Sequence, residues 1–161
     1  MTDANEELAA ECLALLRRRA ETLATAESLT AGLVCSTLAA VSGASDILRG
    51  GIAAYATDVK TSVLRVDPEL IVSHGVVSAE CARAMASGVR GLFEATWSVS
   101  TTGVAGPSRQ ENEPVGTVYV AVAGPDDVHV QHLQLSGSRH DIRESAVTAG
   151  LSLLRSGLQL G

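Results

Sequence analysis

Segments of β character alternate with segments of helical periodicity as far as Trp97, and two β segments then follow one another directly. That order constrains the fold more than any other property of the chain. Leu8, Cys12, Leu15 and Leu16 recur at helical spacing and lead into Arg17-Arg18-Arg19, which suits the negative end of a helix dipole. Thr22 to Ala26 reads as a short strand, and a helix is expected from Ser28 to Val41 with Leu29, Leu33, Val34, Leu38 and Val41 on its apolar face. Gly50 to Ala56 reads as the next strand, after which Asp58 is expected to cap a helical turn containing Lys60. Short helical segments follow Pro68 and Ser78, the second carrying the small-residue face Ala82, Met85, Ala86 and Val89. Trp97 to Thr102 is a strand, and Gly116 to Ala123 and Val128 to Leu135 form a hairpin across Gly124-Pro125-Asp126-Asp127. A last helix starts near Ser138. Helices interleaved with strands cover both faces of a sheet, whereas a hairpin adds an antiparallel pair. The expected fold is therefore a single three-layer α/β/α domain over residues 1–161, with a mixed, mostly parallel sheet.

Composition removes several classes of partner. A chain of 161 residues buries around two thirds of its unfolded surface, so neither a staple nor a metal is required for stability. The formal net charge is −6 and aromatic residues make up 2%, which argues against binding phosphate backbones or stacking on bases. Met1 to Glu7 is acidic and polar, unlike a secretory leader, so a cytoplasmic address is expected. Gly32 to Val41 is far shorter than the ~20 apolar residues that span a bilayer, and no membrane partner is expected. Cys12, Cys35 and Cys81 are widely spaced and lack a Cys-x-x-Cys pair, which suits buried, reduced thiols. His129 and His132 stand three apart in a strand and point to opposite faces, while His74 and His140 are isolated, so no metal site is expected.

Three loops follow expected strands and hold residues that a core does not need: Ala26 to Gly32, Tyr55 to Lys60 and Thr102 to Pro107. Ligands bind outside the carboxyl ends of strands in open α/β sheets, so these loops are candidates to share one crevice. Ser28 at a helix start is either an ordinary N-cap or a nucleophile steadied by unpaired backbone N–H groups. A serine nucleophile needs a base, and Lys60 is the candidate, on condition that burial lowers its pKa from ~10.4 toward ~7–8; otherwise it is an exposed lysine on a helical turn. Tyr55 either orients Lys60 or passes its proton, or is a core aromatic with its hydroxyl at the rim. Thr102-Gly103 offers a carbonyl or oxyanion contact, or only a β-turn. Arg139 and Arg143 share a face at the start of the last helix, where cations are disfavoured unless an anion is near. A phosphate is one such anion, and the pair Ser138 and Asp141 is a local alternative.

Taken together, Thr25-Ala26-Glu27-Ser28, Gly50-Gly51-Ile52-Ala53-Ala54-Tyr55 with Lys60, His74-Gly75-Val76-Val77-Ser78, Thr102-Gly103-Val104-Ala105-Gly106-Pro107 and Pro114-Val115-Gly116-Thr117-Val118 resemble the CinA C-terminal domain family over almost the whole chain. Members of this length look like nicotinamide-nucleotide amidases, which deamidate nicotinamide mononucleotide to nicotinate mononucleotide. The resemblance implies Ser28 as nucleophile, Lys60 as base, Tyr55 assisting and Thr102 as a site residue. It further implies substrate contacts at Thr30, Gly32, Gly103 and Gly106, an arginine of the last helix (Arg139 or Arg143) on the phosphate, no cofactor, and a homo-oligomer. Two stretches depart from the family pattern. Leu29-Thr30-Ala31-Gly32 replaces Cys-Thr-Gly-Gly, and Ser108 to Glu113 replaces a glycine-rich stretch followed by a lysine. A non-catalytic nucleotide-binding module and an amidase for another small amide are the competing readings.

Overall fold

The computed structural model describes residues 2–161, so the reading of Met1 lies outside it. Six helices and five strands follow in the order α1 (Thr2–Arg19), β1 (Leu23–Glu27), α2 (Leu33–Ala39), β2 (Leu48–Ala53), α3 (Thr57–Ser62), α4 (Pro68–His74), α5 (Ala79–Leu92), β3 (Trp97–Gly103), β4 (Thr117–Ala123), β5 (Val128–Gln134) and α6 (Arg139–Leu160), with a 3-10 turn at Ala44–Asp46. The strands form one mixed sheet of order β2-β1-β3-β4-β5. β1 pairs in parallel with β2 and β3, and the β3–β4 and β4–β5 pairs are antiparallel. All strands but β4 thus run the same way, although the pairings divide evenly, because the hairpin contributes as many antiparallel ladders as the βα units contribute parallel ones.

Strand alternation sorts side chains into two cores. Leu23, Trp97, Val99 and Val122 face α1, α2 and α6, where Leu13, Leu16, Leu38, Val147, Leu151 and Leu154 fill the layer. Ala24 and Ala26 face α5 beside Cys81, Met85 and Val89. The small face of α5 lets it lie close to the sheet: Ser98 and Ser100 of β3 donate hydroxyl hydrogen bonds of 2.6 Å to the carbonyls of Ala86 and Ala82. Gly51 is required for a similar approach, since a Cβ there would sit 2.2 Å from the Thr25 hydroxyl oxygen.

The expected helix from Ser28 to Val41 begins only at Leu33. Ala31 and Gly32 have φ of +49° and +99°, and consecutive left-handed residues cannot continue an α-helix. Ser28 to Gly32 is instead a turn, closed by Ala31 N–H on the Ser28 carbonyl and Leu33 N–H on the Thr30 carbonyl. Ser28 is consequently not an N-cap. Leu29 leaves the α2 stripe and is buried with Ala105, Val118, Val120, Ile142 and Ala146. Asp58 does not cap α3 either: Ala56 holds that position and Asp58 lies within the first turn.

Candidate active site

β1 is flanked on both sides by parallel strands, β2 and β3. The chain leaves β1 to cross one face of the sheet through α2, and leaves β2 to cross the other through α5, so the carboxyl end of β1 is a point where connections diverge and open a crevice. Ser28 follows β1 immediately. Its N–H donates to the Thr101 carbonyl at 2.9 Å, which extends the β1–β3 ladder by one rung and locates the serine.

The helix behind this turn is capped from the strand rather than from the turn. Gly32 offers α2 no side-chain cap; the buried Glu27 carboxylate accepts the N–H groups of Val34 at 2.7 Å and Cys35 at 3.0 Å. A carboxylate at this position satisfies orphan donors and complements the helix dipole. An acidic residue ending an otherwise apolar strand was the available sequence signal for it.

Lys60 is 1% exposed, although it lies on the short helix α3. Its Nζ reaches back to the Ala54 carbonyl at 2.8 Å, the Tyr55 carbonyl at 3.2 Å and the Ser28 hydroxyl at 3.1 Å. Burial lowers its pKa, opposed by the nearby Cys81 and Glu111 groups. Cys81 itself is pushed up to about 11 by burial, with Lys60 opposing, so it stays a neutral thiol at physiological pH. An ammonium has three N–H donors, and the Ala54 carbonyl, the Tyr55 carbonyl and the Ser28 hydroxyl oxygen accept them. This buried, hydrogen-bonded Lys–Ser pair has the geometry of a catalytic dyad.

A cavity of about 160 Å³ opens over Ser28, lined also by Tyr55, Gly103, Gly106, Ser108, Gln110 and Arg139. The three loops singled out in the sequence thus converge. A larger hollow of about 350 Å³ lies at the other end of β3, beside Trp97 and Gly124–Asp127; it has no serine–lysine pair, which lies at the smaller cavity. Among the described residues no cluster of three or more His, Cys, Asp or Glu can hold a metal ion, and no helix is long and apolar enough to cross a membrane.

The remaining expected site residues separate into two groups. Tyr55 is 58% exposed and is not a core aromatic; its hydroxyl accepts from Arg139 at 3.0 Å, and Arg139 also donates to the Gly106 carbonyl. Gly103, Gly106 and Arg139 line the cavity with Tyr55. By contrast, Thr102 is buried and donates to the Val76 carbonyl at 2.7 Å, Thr30 is buried against the Thr101 hydroxyl at 2.7 Å, and Gly32 serves as the N-cap residue of α2. None of these three lines the cavity: the Thr102 and Thr30 side chains are turned into the protein, and Gly32 has none. Arg143 donates to the carbonyls of Leu29 at 2.9 Å and Thr30 at 3.0 Å, so its guanidinium clamps the serine turn. Ser138 and Asp141 form a complete capping box on α6, which offsets the placement of two arginines at that end. Glu111, which sequence reasoning left unassigned, accepts N–H bonds from Val76 and Val77.

The CinA C-terminal domain matches residues 5–158 of the chain. A CinA-like protein of Frankia casuarinae is 48% identical over 94% of this chain and 35% of its own length, and one of Gloeobacter violaceus is 44% identical over 92% and 35%. The chain spans about a third of the length of these relatives. Among solved structures, the competence damage-inducible protein A of Klebsiella pneumoniae superimposes with a TM-score of 0.93 at 29% identity, covering 96% of this chain and 97% of that one. A competence/damage inducible protein of Agrobacterium tumefaciens gives 0.91 at 30% identity, covering 96% and 95%. With its sequence and its fold in agreement, the chain belongs to the CinA C-terminal domain family.

Proposed function

We propose that this protein is a serine–lysine amidohydrolase that deamidates nicotinamide mononucleotide to nicotinate mononucleotide. The observation that carries the reading is the contact of the buried Lys60 Nζ with the Ser28 hydroxyl at 3.1 Å. Neutral Lys60 takes the Ser28 proton as Oγ attacks the carboxamide carbon. The tetrahedral intermediate collapses as Lys60 returns that proton to the departing nitrogen, which leaves as ammonia and leaves an ester on Ser28. Water, deprotonated by the same amine, then attacks the ester, and the carboxylate departs as Ser28 regains its proton. Splitting amide hydrolysis this way replaces one hard step with two easier ones, and the cationic pyridinium ring makes the carboxamide more electrophilic.

Arg139 is the arginine we assign to the phosphate; its exposure at the cavity supports this, and its present partners are a hydroxyl and a carbonyl. A phosphate is the stronger acceptor for a guanidinium. Tyr55 and Arg139 close the mouth together, and Thr102 supports the end of β3 from behind. Self-association and a cytoplasmic address belong to the same reading. Ammonia release from nicotinamide mononucleotide by purified protein, compared with Ser28→Ala, tests it. The expected loss in Ser28→Ala is at least ~10³-fold in kcat. Equal release by both proteins would remove the serine mechanism. Saturable binding without any release by the unmodified protein would leave a nucleotide-binding module instead.

A further inference from the structure

The loop from Pro107 to Asn112 supplies Ser108 and Gln110 to the wall of the cavity, yet all its residues are exposed and bury no apolar side chain. Hydrophobic burial therefore does not hold it in place. Internally it is closed by reciprocal backbone bonds between Gln110 and Glu113 and by Arg109 on the Asn112 carbonyl. Among the described residues, the side-chain hydrogen bonds that tie residues 107–113 to the rest of the fold come from Glu111. Its two carboxylate oxygens accept the N–H groups of Val77 at 2.9 Å and Val76 at 3.1 Å, more than thirty residues away in sequence.

The receiving segment is built for this contact. Gly75 has a φ of +79°, and a Cβ there would lie 2.9 Å from each Glu111 carboxylate oxygen, so a side chain at 75 would displace the carboxylate. The carbonyls of the same connector are held from the other side, Val76 by the Thr102 hydroxyl and Gly75 by the Ser78 hydroxyl. The connector is thus a fixed anchor between α4 and α5, joined through Thr102 to the end of β3. Glu111 and Asn112 also hold φ of +52° and +64°, a conformation that a free loop of non-glycine residues would leave readily.

We propose that Glu111 is a clasp: by docking on the Val76 and Val77 amides it fixes the 107–113 loop as a preformed wall of the Ser28 cavity and thereby sets the affinity for the ligand. Its kinetic expression rests on the amidase reading, because the ligand taken is nicotinamide mononucleotide. Glu111 is a positioning residue; it makes no hydrogen bond to Ser28 or Lys60, and its charge acts on Lys60 only through space, opposing the burial that lowers the lysine pKa. The preformed wall spares the ligand the entropy of ordering the loop on binding.

The test compares unmodified protein with Glu111→Ala and Glu111→Gln in two independent measurements. In ammonia release from nicotinamide mononucleotide, Glu111→Ala is expected to raise KM about tenfold with kcat held within about threefold, as the loss of charge-assisted bonds from a positioning group predicts; Glu111→Gln, which keeps one acceptor oxygen, falls between. In amide hydrogen exchange, Val76, Val77 and the 107–113 segment exchange faster in Glu111→Ala while protection of the central strands β1 and β3 is retained. Gly75→Ala displaces the carboxylate from the opposite side and is expected to raise KM likewise, with no further rise in the Glu111→Ala background. Unchanged exchange at Val76 and Val77 in Glu111→Ala overturns the clasp, as does a KM effect of Gly75→Ala that simply adds to that of Glu111→Ala. Absence of ammonia release from unmodified protein refutes the amidase reading instead, and the exchange measurement then decides the clasp alone.

Discussion

Replacing Glu27 by Gln isolates the cap that the fold places behind the Ser28 turn. The carboxylate is 1% exposed and accepts two N–H groups, those of the second and third residues of α2. Gln has nearly the same volume, so no cavity opens; it keeps one acceptor oxygen but turns an NH₂ group toward the other N–H. One charge-assisted bond is lost, at about 1.5–3 kcal/mol, and the charge–dipole attraction goes with it, at about 0.3–1 kcal/mol. Relief of burying a charge returns part of this, so the net destabilisation is about 2–3 kcal/mol. For a domain of this size that lowers the thermal midpoint by roughly 4–12 °C. Urea unfolding at pH 7, followed by circular dichroism, gives the free energy directly, and an unchanged slope would show that the denatured state is not responsible. A change below about 0.5 kcal/mol, the range of an ordinary surface substitution, would falsify the cap. Ammonia release by the folded variant should fall as well, because the α2 terminus bounds the Ser28 turn and small displacements of a nucleophile are costly.

Ala31→Gly should raise stability by about 0.5–1 kcal/mol in the same urea assay, since a left-handed Ala costs ~1–2 kcal/mol and Gly returns part of that as unfolded-chain entropy; destabilisation would contradict the φ of +49°. Lys60 has a pKa lowered by burial, so kcat/KM for ammonia release should climb with pH through that lowered value and level off before the ordinary lysine range. Stability must follow the same sign: below the folded pKa the buried amine imposes its full cost, which diminishes as pH rises toward the unfolded value of 10.5. The stability of Lys60→Met relative to unmodified protein should therefore be greatest at low pH and shrink as pH rises, and a pH-independent difference would count against a lowered pKa. Arg139→Ala should raise KM for nicotinamide mononucleotide by roughly 10–100-fold without affecting the phosphate-free riboside; equal effects on both would exclude a phosphate role. Arg143→Lys loses the fork that spans the Leu29 and Thr30 carbonyls, and steady-state kinetics should show kcat down about tenfold with KM nearly unchanged.

Hydrophobic period and turn residues were enough to read the strands, α5, the hairpin and the start of α6, because these are set by local alternation and by burial against a neighbouring layer. The three loops of the site were legible for a related reason. Each follows a strand, and each carries hydroxyl, amine or glycine residues that a core would not use. By themselves, though, the residues left Ser28 as a cap or a nucleophile and Lys60 as a base or an exposed charge.

Those choices depend on contacts distant in sequence. The apolar pattern through Leu29 and Leu33 reads as one helix, and only the left-handed pair Ala31–Gly32 converts its start into a turn, with Arg143 on the carbonyls before the pair and Glu27 on the amides after it. Thr102 and Thr30 carry suitable hydroxyls, but strand and turn geometry turn them inward to Val76 and Thr101. Glu111 gives no local signal, since its partners are backbone amides more than thirty residues earlier. The sequence alone determined which elements form and which loops carry chemistry, because periodicity and residue type are local properties. The tertiary structure decided that Lys60 is buried against Ser28, that Arg139 lines the cavity while Arg143 clamps the turn, and that a carboxylate holds the wall, because burial and hydrogen-bond partners arise only when distant segments pack.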